Sequence, residues 1–328
     1  MRTLLVLGGT AWLGREVARL ALERGYQVTC LARGDSGPVA DGVRWVRADR
    51  THPDAYDAVR DQLWDDVVDV SWQPGQVRSA LAALSAAAAH WSYVSSCSVY
   101  AAHDLPGIDE DAAVLAPHPG DEAAIEDYGA AKVACEQAVV QALGDRALLA
   151  RAGLLGGPGD PSDRFGYWVG RFALAGDGPV LVPDAPDQPS QTLDVRDLAA
   201  WLLRAGEQGV HGPVNAVGEQ RALGELLAVA RQVGGPADVV SAEPQWLLDN
   251  DVAGWMGARS LPLWLPWPDH AGFGARADAR ALHLGLTRRP VQDTLTDTLA
   301  YERALGLSRP RKAGLTRAEE LDLIGRVG

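Results

Sequence analysis

A chain of 328 residues with a formal net charge of −13 carries a field that repels phosphate backbones, so no nucleic-acid partner is expected. Hydrophobic residues make up 47% and charged residues 22%, and no window approaches the roughly 18 consecutive apolar residues of a membrane span, so no membrane partner is expected either. Cys30, Cys97 and Cys135 are widely spaced and the seven histidines show no ligand spacing, which argues against a disulfide framework or a metal site.

Residues 3–7 form a short apolar run closed by Gly8-Gly9, and over residues 12–24 Leu13, Val17, Leu20 and Ala21 recur at helical spacing, which reads as strand, turn and helix. Gly25 supplies the stop, residues 27–32 a second strand, 43–48 a third, 54–63 a helix and 67–71 a fourth strand. Pro74 opens an Ala-rich helix to about residue 89, and 91–96 is a fifth strand. This alternation predicts a parallel, doubly wound α/β sheet. Residues 101–122 break the rhythm as a long loop, flanked by His103 and His118; loops of that length are usually functional. A helix over 127–143, a strand over 146–152 and a Gly/Pro/Asp-rich turn over 156–163 follow. Beyond them come a helix over 165–175, short strands at Val180 and Gln191, and a helix from Arg196. Trp168, Trp201, Trp246, Trp255, Trp264 and Trp267 give the C-terminal part an aromatic character. At this length one large domain with a smaller appended lobe is expected, divided as 1–162 plus about 190–217 for the dinucleotide-binding part and 163–189 with 218–328 for a substrate-binding α/β lobe. The apolar run after Met1-Arg2-Thr3 is too short for a secretory signal, so a cytoplasmic location is expected.

Gly8-Gly9-Thr10-Ala11-Trp12-Leu13-Gly14 lies between the first strand and the first helix, where amides at a helix N-terminus meet a pyrophosphate in a Rossmann-type unit. Gly8 permits the turn and Gly14 close packing, while Ala11 stands where such units carry their second glycine. After the second strand, Leu31-Ala32-Arg33-Gly34 has no carboxylate for a ribose 2′-hydroxyl. Arg33, helped by Arg50, is instead suited to a 2′-phosphate, so NADP(H) is favoured over NAD(H). Asp49 can accept from an adenine amino group or cap the turn that follows it.

Tyr128 and Lys132 stand four apart on one helix face. A phenol titrates near pH ~10, and a neighbouring cation favours its phenolate; Tyr128 is therefore read as general acid in reduction and base in oxidation. Ser96, at the carboxyl end of the fifth strand, can hydrogen-bond a substrate oxygen. No serine sits in a G-x-S-x-G elbow, which excludes that hydrolase class.

With the Gly8 turn, Ser96, Tyr128/Lys132, Arg151-Ala152-Gly153-Leu154-Leu155-Gly156-Gly157-Pro158 and Leu193-Asp194-Val195-Arg196-Asp197-Leu198-Ala199 in order, the chain resembles the extended short-chain dehydrogenases/reductases over roughly residues 1–217. Within them it is similar to the NAD-dependent epimerase/dehydratase group, and its Gly-Gly-Thr-x-x-Leu-Gly loop resembles an atypical branch that includes chloroplast stem-loop RNA-binding proteins. The resemblance implies that Lys132 also binds the nicotinamide ribose and that the backbone at Ala152 and Leu154 meets the carboxamide. Three departures narrow the substrate. Cys97-Ser98 replaces the acidic pair of nucleotide-sugar dehydratases, Leu154 stands where sugar-nucleotide epimerases have asparagine, and Ser190 where they have a phosphate-binding arginine. The substrate-binding candidates are Cys97, Ser98, Arg164, Phe165 and Trp168, whose aromatics suit an apolar body with one polar handle. The expected function is an NADP-dependent reductase or dehydrogenase of a small carbonyl, alcohol or imine compound. An epimerase with tightly held cofactor and a non-catalytic NADP- or RNA-binding protein are the alternatives, and a homodimer is the assembly entertained.

Overall fold

The protein is described here from a computed structural model covering residues 1–265 and 268–327; the expectation for Trp267 lies outside the described residues. In chain order the first half comprises β1 (Thr3–Leu7), α1 (Trp12–Glu23), β2 (Gln27–Ala32), β3 (Arg44–Arg47), β4 (Asp66–Asp69), α2 (Pro74–Leu84), β5 (Trp91–Ser96), α3 (Tyr128–Leu143) and β6 (Ala147–Ala152). The second half adds β7 (Leu154–Gly156), α4 (Phe165–Ala175), β8 (Pro179–Pro183), β9 (Pro189–Asp194), α5 (Val195–Gln208), β10 (Gly212–Ala216), β11 (Gln220–Ala222) and α6 (Leu223–Gly234). The remaining elements are β12 (Asp238–Ala242), α7 (Pro244–Asp249), β13 (Ala253–Trp255), β14 (Ser260–Pro262), α8 (Ala279–His283), α9 (Val291–Leu305) and α10 (Arg317–Ile324).

Seven parallel strands in the order β10-β6-β5-β4-β1-β2-β3 form a Rossmann-type sheet. Side chains alternate across a strand, so Leu4 and Val6 bury against α1 and α5 on one face while Leu5 and Leu7 bury against α2 and α3 on the other. Coverage on both faces is why these strands read as unbroken apolar runs. The strand order reverses between β1 and β4, the crevice where open α/β sheets take their ligands. A second cluster of buried residues is built from α4, α6, α9 and β8, with Phe165, Trp168, Phe172, Leu226 and Leu299 among its members. Among the described residues, no helix is long and apolar enough to cross a membrane.

Two local expectations are corrected. Residues 54–63 are successive turns, closed by bonds such as Asp57 N to Asp54 O and Val59 N to Tyr56 O. Only Ala55, Tyr56 and Val59 of that stretch reach the core, and the Tyr56 hydroxyl is held by the Arg50 guanidinium at 3.0 Å, which a regular amphipathic helix does not require. The helix from Pro74 stops at Leu84, because the Ala87 carbonyl accepts from the Trp64 amide and the Ala89 amide donates to the Trp64 carbonyl instead. The long loop is pinned near its start to the segment around Gly272: Gly107 N donates to Ala275 O at 2.6 Å, and Gly272 N to His103 O at 2.7 Å.

The sheet also holds a buried ion pair. Arg50 meets both oxygens of Asp69 at 2.9 and 3.0 Å. Burial pushes the Asp69 carboxyl up, but Arg50 and bonds from Ser71 outweigh it and hold the group below its ordinary range. Removing one partner of a buried pair strands the other's charge. Asp69→Ala is therefore expected to cost about 3–5 kcal/mol in urea unfolding. Because the folded-state pKa is depressed, this contribution is complete above the ordinary carboxylate value of about 3.9 and disappears as pH falls through the lower folded value. The variant should lose that acid-side slope, and a cost below about 1 kcal/mol would contradict the assignment.

Candidate active site

The carboxyl end of β1 turns sharply at Gly8, whose φ of +96° is one glycine adopts freely. A side chain at Gly14 would put its Cβ 2.3 Å from the Gly8 carbonyl, so the turn and helix approach as closely as they do only because residue 14 is glycine. No side chain caps α1, which leaves its first-turn amides facing the groove beside Gly8, Thr10, Ala11, Arg33 and Gly34. Uncapped amides at the positive end of a helix are what an anionic pyrophosphate needs, and the Ala11 methyl does not close the groove. These residues fit a dinucleotide. Gly9 packs on Cys30, and Leu13 is in the core. Trp12 donates its indole N–H to Pro158 O at 2.9 Å, tying the phosphate turn to the segment before α4.

At the far end of the groove Arg50 is among the lining residues, but its guanidinium is largely buried and already bonded to Asp69, Tyr56 and the Gln76 carbonyl. Arg33 is exposed, with Nε 3.2 Å from Asp35 and a guanidinium nitrogen 4.0 Å from Asp49. Asp35 is thus a carboxylate at the groove, three residues beyond the end of β2 at Ala32. Asp49 accepts from the Thr51 amide at 3.0 Å and hydroxyl at 2.8 Å, and the backbone bond holds it below the ordinary carboxylate range. It serves as the local cap.

Beyond β5, the first turn of α3 abuts the short turn Cys97–Val99: a Cβ on Gly129 would lie 2.4 Å from Ser98 O. This close approach brings Tyr128 beside the strand end that carries Ser96. Ser96 Oγ accepts from Ser98 N and donates to Ser98 Oγ, each at 3.1 Å. Lys132 is 2% exposed; its ammonium donates to Ser71 O at 2.8 Å and Val94 O at 2.6 Å. It lies 4.8 Å from the Tyr93 ring centre and 5.8 Å from that of Tyr128. Behind it Ser95 donates to Glu136, which is paired with Arg151 at 2.9 Å, and Arg151 continues to Tyr100 and Asn215.

The substrate-side candidates separate. Arg164 is half-buried; its Nε donates to Ser162 Oγ at 3.0 Å, its guanidinium lies 4.9 Å from the Trp255 ring, and it is near enough to Tyr128 for their charges to interact. Phe165 and Trp168, each 1% exposed, are corrected to core residues of the second cluster, with the Trp168 indole N–H spent on Pro262 O at 2.8 Å. Cys97 is likewise buried, its thiol donating to Arg151 O and pushed up to about 12 by burial. Ala152 ends β6 in the core; Leu154, Gly153 and Val217 line a slot closed on the other side by Trp255, Leu263 and Phe273. Trp72, 5.6 Å from the Tyr128 ring, and Trp255 and Phe273 carry no local signal in the sequence that ties them to Tyr128.

The model of the NAD dependent epimerase/dehydratase family matches residues 4–218. No curated protein matches the sequence. Among solved structures, the UDP-glucuronic acid 4-epimerase from Bacillus cereus in complex with NAD is 16% identical, covering 92% of this chain and 99% of its own at a TM-score of 0.67. The enzyme WbmH of Bordetella bronchiseptica in complex with NAD+ is 16% identical, covering 93% and 100% at 0.65. RMD from Pseudomonas aeruginosa complexed with NADPH is 19% identical, covering 93% and 100%, also at 0.65. At these identities the likeness is one of fold.

Burial also pushes the Cys30 thiol up to about 12 and raises Cys135, so no cysteine presents a thiolate at neutral pH. A thiol-reactive disulfide reagent at pH 8 should modify none of the three within minutes in the native protein and all three after denaturation. Rapid native labelling of Cys97 would place its thiol in the cleft.

Proposed function

The chain belongs to the NAD dependent epimerase/dehydratase family, and from that premise we propose that it is an NADP-dependent oxidoreductase acting between nicotinamide and a small carbonyl or alcohol compound. The observation that carries this reading is the setting of Lys132. An ammonium has three N–H donors; two are used on Ser71 O and Val94 O, and the third is left for a ribose hydroxyl beside Tyr128. Bound nicotinamide would supply or accept the hydride. Tyr128 gives a proton to the carbonyl oxygen in reduction or takes one from the alcohol in oxidation. Ser96 keeps the bond it accepts from Ser98 N and turns its one O–H from Ser98 Oγ to the substrate oxygen, which it then orients as a donor.

Preference for the 2′-phosphate rests on Arg33, which is exposed at the groove and must exchange Asp35 for the phosphate. The net charge of −13 supports a small-molecule substrate over a nucleic acid. An epimerase differs in a measurable way: it purifies with nicotinamide absorbance and turns over without added cofactor.

Tyr128→Phe should lower kcat by about 10²–10⁴-fold while NADP(H) affinity by calorimetry stays within about twofold; turnover retained in this variant would sink the mechanism. Arg33→Ala should erase any preference for NADPH over NADH, about 1–3 kcal/mol in binding free energy for a charge-assisted bond. An unchanged ratio would show that the 2′-phosphate is read elsewhere.

A further inference from the structure

Most buried guanidinium groups in this protein face a carboxylate: Arg50 meets Asp69, Arg151 meets Glu136, Arg171 meets Glu320 and Arg311 meets Glu302. Arg164 does not. Among the described residues no carboxylate lies within 4.0 Å of it, and its one hydrogen bond uses Nε on Ser162, leaving the fork of the guanidinium unspent. Burial pulls its pKa below the ordinary value, outweighing the more distant charge of Asp160, the mark of a cation that has lost more water than its neighbours replace. The backbone is bent to present it. Asp163 adopts a left-handed conformation at φ +61° and Trp255 another at +66°, conformations that cost free energy in a non-glycine residue. Asp163 is held there by Arg309 and by Lys312 N.

Arg164 also begins a ladder of rings. Its guanidinium lies 4.9 Å from Trp255, Trp255 is 5.0 Å from Phe273, and Phe273 is 5.2 Å from His103. His103 Nδ1 in turn accepts from Arg276 at 2.6 Å. The slot faced by Trp255 and Phe273 is also lined by Leu154, Val217 and Leu263 and by the polar Gln188, Ser190 and Gln191, and among the described residues no charged side chain lines it.

We propose that Arg164 anchors a carboxylate of the substrate, whose flat, unsaturated body packs into the corner made by the edge-to-face Trp255 and Phe273 rings with its carbonyl or carbinol carbon towards Tyr128. The inference rests on the oxidoreductase reading of the same site and names its substrate class as an aromatic or conjugated oxo or hydroxy acid. A planar guanidinium fork matches a carboxylate in two parallel hydrogen bonds. A phosphate dianion would want a second cation, which the slot does not offer. The carboxylate binds and does not react.

Benzoate and its uncharged isostere benzamide, titrated calorimetrically into the full-length protein with and without NADP+, test this directly. Benzoate should bind at least tenfold more tightly than benzamide. Arg164→Gln should abolish that difference, Arg164→Lys should keep part of it, and Trp255→Leu should weaken both probes together. Equal affinity for the two probes, or benzoate binding undiminished in Arg164→Gln, overturns the anchor. The two readings fail separately. Absent NADP+ binding with benzoate selectivity intact removes the oxidoreductase reading alone, whereas NADP+ binding and Tyr128-dependent turnover without acid selectivity removes the anchor alone.

Discussion

A lysine ammonium almost cut off from water has to rebuild its hydration shell from the protein, and Lys132 does so with carbonyls at the ends of two strands. Ser71 O lies just past β4 and Val94 O is in β5, and the Tyr93 ring face supplies further negative potential. The arrangement fixes α3 against the carboxyl edge of the sheet, and the tight contact of Gly129 with Ser98 fixes the rotation of its first turn. Everything assigned to the site follows from that register. Tyr128 is delivered beside Ser96, Trp72 packs on the phenol, and Glu136, one turn further along, reaches Ser95 and Arg151.

The same economy governs the arginines. A guanidinium removed from water is stable only where a carboxylate, carbonyls or a ring face replaces what it lost, and the protein supplies these generously away from the cleft. The pairs of Arg50 with Asp69 and Arg151 with Glu136 brace the sheet from below. Within the cleft the supply stops, and Arg164 is left with a hydroxyl and an indole face.

What the sequence made legible is what local pattern controls. β1, β2, β5 and α4 fall on the residues expected, because apolar runs and helical periodicity are written within a few positions. The phosphate turn and the Tyr128/Lys132 spacing are short-range too. Partner choice is not. Arg50 reads as a cofactor ligand until Asp69, 19 residues on, is seen to hold it, and Phe165 and Trp168 read as cleft aromatics until the second cluster closes over them. The Trp255 and Phe273 wall meets Arg164 from some ninety residues away or more, and nothing near either ring announces it.

Sequence distance also sets an order of assembly. The seven strands of the sheet are all present once β10 has been made, and their core needs nothing that follows Leu286. Asp163, by contrast, is locked by Arg309 and by the Lys312 amide, 146 and 149 residues downstream. On the ribosome, the cofactor-binding half can therefore be built while the residue preceding Arg164 still lacks its clamp. The groove beside Gly8 is thus complete in sequence well before the residue that sets the backbone at Arg164 meets its partners.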